Sequence, residues 1–302
     1  MSEKIEVVIL GSGSAVPTAR KNHQAIWMKY KAESMLFDCG EGTQRQIRKA
    51  DLNPCKINRI FISHWHGDHI LGLPGLLWTL ALNDYKKTLE IYIPKGTKKY
   101  IDKLLDFFVF VGKINLSVKE IDKGVIFENN DFRIIAERMC HTTKTLGYSF
   151  VEKDVLRIKK DKLKKLKLKD NELKKLSELK FGKDIVIEGK KIKYKDLTYK
   201  QKGRKITIIP DTMKFPSLWK FAGNSDLLIS ESNFYDEIHL AEEKKHLTSI
   251  DAAQIAKKSK SKKLILVHIS QRHESHENEL LKNARKYFKN TFLGEDLMRI
   301  EL

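Results

Sequence analysis

The sequence predicts an α/β protein of layered sheets and helices that carries a basic insertion. Three observations predict it. Apolar, β-branched runs of strand length alternate with helical stretches along the chain. Two of those runs, at 59–62 and 205–209, end at loops that carry metal-ligand side chains, four in the first and Asp211 in the second, so the second half rebuilds the first. Between residues 152 and 204 the composition changes abruptly, with lysines dominating and prolines absent.

The N-terminal run at 5–10 reads as a strand, and Gly11-Ser12-Gly13-Ser14-Ala15-Val16-Pro17 is the loop leaving it. A dinucleotide-binding fingerprint needs a third glycine where Val16 stands, and Pro17 blocks an immediate helix start, so that reading fails. Residues 25–30 and 34–37 read as the two strands of a hairpin. Asp38-Cys39-Gly40-Glu41-Gly42-Thr43-Gln44 follows. There Asp38 either hydrogen-bonds a ligand histidine or caps the next helix.

The buried run Arg59-Ile60-Phe61-Ile62 delivers Ser63-His64-Trp65-His66-Gly67-Asp68-His69. On an extended loop His64 and His66 point to one side, Asp68 and His69 to the other, and Gly67 permits the turn between them. Neutral imidazoles suit zinc, and a neighbouring carboxylate either ligates or handles protons. An HxH alone is weak evidence. The full HxHxDH at a strand end is strong.

A helix is expected over 76–82, strands over 89–94 and 131–136, and then His141 ahead of Gly147-Tyr148-Ser149-Phe150. Within the insertion, 170–179 begins with capping residues and repeats leucine, which predicts a short amphipathic helix. Ile185-Val186-Ile187 and Lys191-Ile192-Lys193-Tyr194, joined through Glu188-Gly189, predict a hairpin. Beyond it, the strand at 205–209 ends in Pro210-Asp211-Thr212, and 226–229 leads to Ser230-Glu231-Ser232-Asn233. His246-Leu247-Thr248 opens a helix over 249–258, and a last buried run at 264–267 ends in His268. His23, His239, His273 and His276 are expected to be surface residues.

Composition bounds the function. The 302 residues, 41% hydrophobic, suffice for a sizeable core, and a net charge of +19 favours a polyanionic partner such as nucleic acid or an acidic membrane. Cys39, Cys55 and Cys140 form no CxxC, so neither a disulfide framework nor a zinc ribbon is indicated. The apolar run at 70–82 is broken by Gly72, Pro74 and Gly75 and falls short of the ~18 residues of a membrane span. Val7-Val8-Ile9-Leu10 is too short for a secretion signal, so a cytoplasmic protein without a membrane partner is expected.

These motifs, in type, order and spacing, resemble the ribonuclease Z family of tRNA 3′-end endonucleases, within the metallo-β-lactamase superfamily. The resemblance covers nearly the whole chain apart from residues 152–204. It rests on HxHxDH, on Asp38 to Gln44, on His141 before GYxF, and on His268 at a strand end. Several positions depart from the family pattern. Ala19 and Lys21 stand in its PxKxRN loop, Pro210 replaces the glycine of GDT, Ser230 and Asn233 flank Glu231 where it has HEAT, and Leu247 interrupts HST.

What the resemblance implies is a single domain over 1–302 in an αββα sandwich of two mixed sheets, with 152–204 as an inserted tRNA-binding arm. It implies two zinc ions, or manganese or iron in their place. His64, His66 and His141 would hold one, Asp68, His69 and His268 the other, and Asp211 would bridge. It further implies catalytic roles for Asp68, His246 and Glu231, a homodimer, and removal of the 3′ trailer from precursor tRNA, leaving a 3′ hydroxyl and a 5′ phosphate. The arm's lysines suit the phosphates of a folded RNA, although a lysine run is more often a solvated face. The alternatives are a phosphodiesterase of the same fold acting on small or cyclic phosphodiesters, which has no need of the arm, and a non-catalytic RNA-binding protein.

Overall fold

A computed structural model describes residues 3–107, 109, 114–165, 175–187 and 189–302. The apolar runs form strands, and the central strands of the two large sheets are buried on both faces. β1 (Ile5–Gly11) is buried at six of its seven positions, as a strand between two layers must be.

One seven-stranded sheet contains β1, β2 (Ala25–Tyr30), β3 (Glu33–Phe37), β4 (Ile57–Phe61), β5 (Thr88–Pro94), β6 (Asn115–Ile121) and, beside β1, β18 (Arg299–Glu301). β1, β2 and β3 pair antiparallel, whereas β3 to β6 run parallel. The second sheet contains β7 (Gly124–Glu128), β8 (Phe132–Met139), β9 (Thr145–Glu152), β14 (Lys205–Ile209), β15 (Leu227–Glu231), β16 (Leu264–Val267) and β17 (Thr291–Leu293). β14 to β17 run parallel.

Aromatic rings join the two inner faces. Phe37 stacks on Phe61 at 5.0 Å, Tyr148 of the other sheet lies 5.5 Å from Phe61, and its hydroxyl donates to the Ile62 carbonyl at 2.6 Å. Helix Leu73–Leu82 buries Leu73, Leu76, Leu77 and Leu80 with Trp27, Leu36 and Ile60. On the second sheet, helices Ser249–Lys258 and Glu277–Tyr287 pack Ala252, Ile255, Leu280 and Ala284 onto Leu228, Leu264 and Leu266. Thr248 and Asp251 form a capping box that fixes where the first of these helices begins. The architecture is the αββα sandwich of two mixed sheets.

The chemistry-bearing residues sit just beyond strand ends: His64 after β4, His141 after β8, Asp211 after β14, Glu231 at the end of β15 and His268 after β16. In open α/β sheets, the carboxyl ends of parallel strands are where ligands bind.

Residues 128–133 and 151–204 form a second compact unit. Within it β10 (Val155–Ile158) pairs with β13 (Thr198–Gln201), and β11 (Ile185–Ile187) pairs with β12 (Lys190–Ile192). Leu176, Leu179, Ile185, Ile187 and Leu197 make its small core. Of the helix expected over 170–179, positions 170–174 lie outside the described residues, and the helical part is Leu176–Lys180. Glu188, expected in the hairpin turn, also lies outside them.

Two expectations are corrected. Gly67–Ile70 is a short helix with His66 at its N-cap, so Asp68 and His69 are turned inward by helical geometry and not by an extended loop. His23 and His273 are buried, not on the surface. His23 Nε2 lies 3.2 Å from the Ala15 carbonyl, and His273 Nε2 lies 3.3 Å from Glu237. His239 and His276 are exposed, as expected.

Candidate metal centre

Six histidine and aspartate side chains from strand ends and the 67–70 helix converge around Asp211, which is 2% exposed. His64 Nε2, His66 Nδ1 and His141 Nε2 form one face. His66 Nδ1 is 3.0 Å from His64 Nε2 and 3.3 Å from His141 Nε2. Asp211 Oδ2 lies 3.6 Å and 3.7 Å from the Nε2 atoms of His64 and His141. Asp68, His69 and His268 form the other face. His268 Nε2 is 3.1 Å from Asp68 Oδ2 and 3.3 Å from His69 Nε2, and Asp211 Oδ1 is 3.5 Å and 3.3 Å from the two rings.

Backbone proximity makes the convergence possible. A Cβ on Gly72 would stand 2.0 Å from the Gly40 carbonyl oxygen, and one on Gly40 would stand 2.3 Å from that of Asp68, so glycine alone lets the 38–44 loop reach the ligand loop. Asp38 and His268 occupy left-handed backbone at φ 57° and 56°, a strained conformation that recurs where function fixes a side chain.

The rings of His141, His69, His64 and His268 are each contacted at the second nitrogen. The Lys245 carbonyl only accepts, so His141 carries its proton on Nδ1, 3.0 Å away, and presents a bare Nε2. His69 Nδ1 donates to Asp38 Oδ2 at 2.8 Å. Ser63 Oγ donates to the same oxygen at 2.9 Å and is thereby free to accept from His64 Nδ1, also at 2.9 Å. Asn233 Nδ2 donates to Ser14 Oγ at 2.8 Å and lies 3.2 Å from His268 Nδ1. Asp38 therefore positions a histidine. Gly42, not Asp38, caps the following helix.

Charge follows from burial. Burial first, and then the neighbouring rings, hold His64 well below the ordinary histidine range. His141 is pushed down to about 4, chiefly by burial. Burial opposes charge on His69 too, but the carboxylates of Asp211, Asp38 and Asp68 outweigh it and hold that ring protonated well above the usual range. Burial would raise Asp211, yet His268 and His69 depress it well below an ordinary carboxylate.

The cluster is thus a pair of buried carboxylates among imidazole lone pairs, with Asp211 Oδ1 lacking any hydrogen-bond donor. A divalent cation fits this donor set, since it would meet the converging lone pairs and displace the proton from His69.

Beside the cluster, His246 Nδ1 lies 3.1 Å and 3.2 Å from the two oxygens of the fully buried Glu231, and 4.0 Å from Asp211 Oδ2. Glu231 also accepts the Thr212 N–H at 2.7 Å. Burial pulls the His246 ring down, but Glu231 and then Asp211 override it and raise the ring to about 9. His246 and Asp211 border a cleft of ≈ 530 Å3 that His66, Asp68, Phe234 and Arg272 also line.

All nine residues singled out in the sequence lie in this one neighbourhood. Ser63, Asn233 and the Lys245 carbonyl were not singled out for the ring nitrogens they contact. In the 17–22 loop both cations are paired with acids: Arg20 Nε is 3.0 Å from Glu274, and Lys21 Nζ is buried 2.5 Å from Glu277.

Two facing mixed sheets with this histidine and aspartate cluster at their strand ends define a metallo-β-lactamase-fold hydrolase with a site for divalent metal. The fold superposes on the metallo-β-lactamase fold protein YhfI from Bacillus subtilis with a TM-score of 0.74 at 18% identity, each chain covered over 100% of its length. It superposes on the short form of human tRNase Z with a TM-score of 0.71 at 28% identity, over 98% of both chains. Residues 5–178 match the family model described as anti-Pycsar protein Apyc1. Ribonuclease Z of Nanoarchaeum equitans is 39% identical, over 98% of this chain and 92% of the relative. The chain belongs to the ribonuclease Z family, and over residues 5–178 it belongs to the Apyc1 family model as well.

Proposed function

We propose that the chain is a metal-dependent endoribonuclease that removes the 3′ trailer from precursor tRNA. The observation that carries it is the Glu231–His246 pair, set 4.0 Å from Asp211 at the edge of the metal cluster, in a chain 39% identical to a ribonuclease Z. That pair adds a proton donor to the metal site, which phosphodiester hydrolysis needs at its leaving oxygen.

His64, His66 and His141 would hold one cation, Asp68, His69 and His268 a second, and Asp211 would bridge them. Zinc suits the imidazole-rich donor set, with manganese or iron as alternatives. When bound, a pair of such ions supplies Lewis acidity that acidifies water and neutralises charge on the phosphate. The chain's own groups do the rest. Asp68 orients the attacking water and takes its proton. As the new P–O bond forms, the bond to the 3′ oxygen breaks, and His246 donates its proton to that oxygen. Glu231 holds His246 protonated and aimed. The products are tRNA with a 3′ hydroxyl and a trailer with a 5′ phosphate.

Residues 152–204 would serve as an arm for the tRNA's phosphates. Homodimerisation is supported by exposed apolar side chains around helix Leu73–Leu82 and helix Lys98–Phe107, namely Leu71, Trp78, Leu82, Tyr100 and Phe107. Among the described residues no helix is long and apolar enough to cross a membrane, and a cytoplasmic location accords with a tRNA substrate. Cleaving an in vitro transcribed precursor tRNA and mapping both new ends tests the reading. A single cut at the 3′ end of the tRNA, with the ends just stated, is expected; a cyclic phosphate, or no cut by the metal-loaded protein, overturns it.

A further inference from the structure

His246 borders a second hollow of ≈ 300 Å3, shared with Met213, Lys214, Asp251 and Gln254. Lys214 and Gln254 in turn border a third, of ≈ 430 Å3, lined by Phe215, Pro216, Trp219, Ile255 and Lys258. Shared walls therefore lead from the metal cluster, past His246, to Trp219. The third hollow pairs aromatic surface with cations. Lys258 Nζ stands 4.9 Å and Lys220 Nζ 5.7 Å from the centre of the Trp219 ring. Lys214 Nζ is bonded to Asp251 and Gln254 at 2.9 Å and 2.7 Å, bracing the wall between the two hollows.

We propose that this groove is a subsite for unpaired RNA, taking bases of the 3′ trailer by stacking on Trp219 while Lys258 and Lys220 meet the flanking phosphates. The proposal rests on the ribonuclease reading given above. Single-stranded nucleic acid is held by this combination, an aromatic face for the base and cations for the backbone. An ammonium resting on an indole face at a partly exposed site is held weakly, so a phosphate can draw Lys258 off the ring and free its face for a base. Paired nucleotides of an acceptor stem present no free face, whereas a trailer does.

Two measurements on the full-length, metal-loaded protein test it. The first compares cleavage of one precursor tRNA carrying either a one-nucleotide or a six-nucleotide trailer. For the longer trailer, Trp219→Ala should raise KM about tenfold, within the range that loss of one stacked base produces, with kcat unchanged. The shorter trailer should be unaffected, Trp219→Phe should restore the KM, and Lys258→Ala should lower the salt dependence of binding. Equal KM changes for both trailers, or none, overturn the subsite. The second measurement follows tryptophan fluorescence on titration with a hexauridylate. The quench should be saturable, salt-sensitive and largely lost in Trp219→Phe. A quench identical in wild type and Trp219→Phe overturns the subsite even if no precursor is cleaved; failure of wild type to cut either precursor counts against the ribonuclease reading instead.

Discussion

Glu231 grips His246 through Nδ1, with both carboxylate oxygens within 3.2 Å, and so raises the ring to about 9 while turning it toward Asp211. A buried acid that holds an imidazole in one tautomer and stabilises its charged form makes a proton donor of it. Replacing the ring should therefore damage turnover and little else. His246→Ala is expected to lower kcat by roughly 100- to 10,000-fold, with precursor binding and metal content unchanged. Steady-state kinetics together with metal analysis check this, and loss of metal from the variant would mean that the ring is a ligand.

The same pair sets a titration. In the metal-free protein, NMR should place His246 at about 9. Glu231→Gln should move it down toward the ordinary value near 6.5, because the largest upward influence is gone. The folded protein favours the charged ring, so its contribution to stability is complete below the unfolded value and is lost as pH rises through about 9. Added metal should lower the value by repulsion.

Asp38 acts on His69 from behind, at 2.8 Å from Nδ1. Asp38→Ala should weaken metal binding about 10- to 100-fold, as loss of a group that orients a ligand histidine does elsewhere. A chelator competition reads the affinity directly. An unchanged affinity would show that Ser63 and packing suffice to hold the ring.

Deleting residues 155–203 tests whether this stretch serves RNA binding and not chemistry. The shortened chain should still hydrolyse a small phosphodiester while losing cleavage of precursor tRNA. Single lysine removals from this stretch should each reduce the slope of log affinity against log salt by about 1. Precursor cleavage that survives the deletion would favour another RNA surface.

The cluster of candidate ligands was legible in the sequence because metal chemistry restricts residue type and a strand end restricts spacing. HxHxDH after Arg59-Ile60-Phe61-Ile62 shows both constraints within eleven residues, and His268 after a buried run shows them again. The helix expected over 249–258 forms over Ser249–Lys258, where a local capping box fixes its start. What escaped depends on approach between distant segments. Ser63 sits between Asp38 and His64 only because β3 pairs with β4, and Asn233 reaches His268 only because β15 pairs with β16. His23 and His273 read as surface residues because burial by neighbouring loops leaves no trace in their own flanks. The four-residue helix after His66 escaped because its N-terminal glycine argues for a turn.

Zinc titration of the metal-free protein, followed by precursor cleavage and bound metal together, tests most directly that Asp211 joins two cation sites. The account predicts activity that saturates at two equivalents per chain, and an Asp211→Asn variant that neither holds both ions nor cleaves. Full activity at one equivalent, or an Asp211→Asn variant that retains two ions and normal turnover, would contradict it.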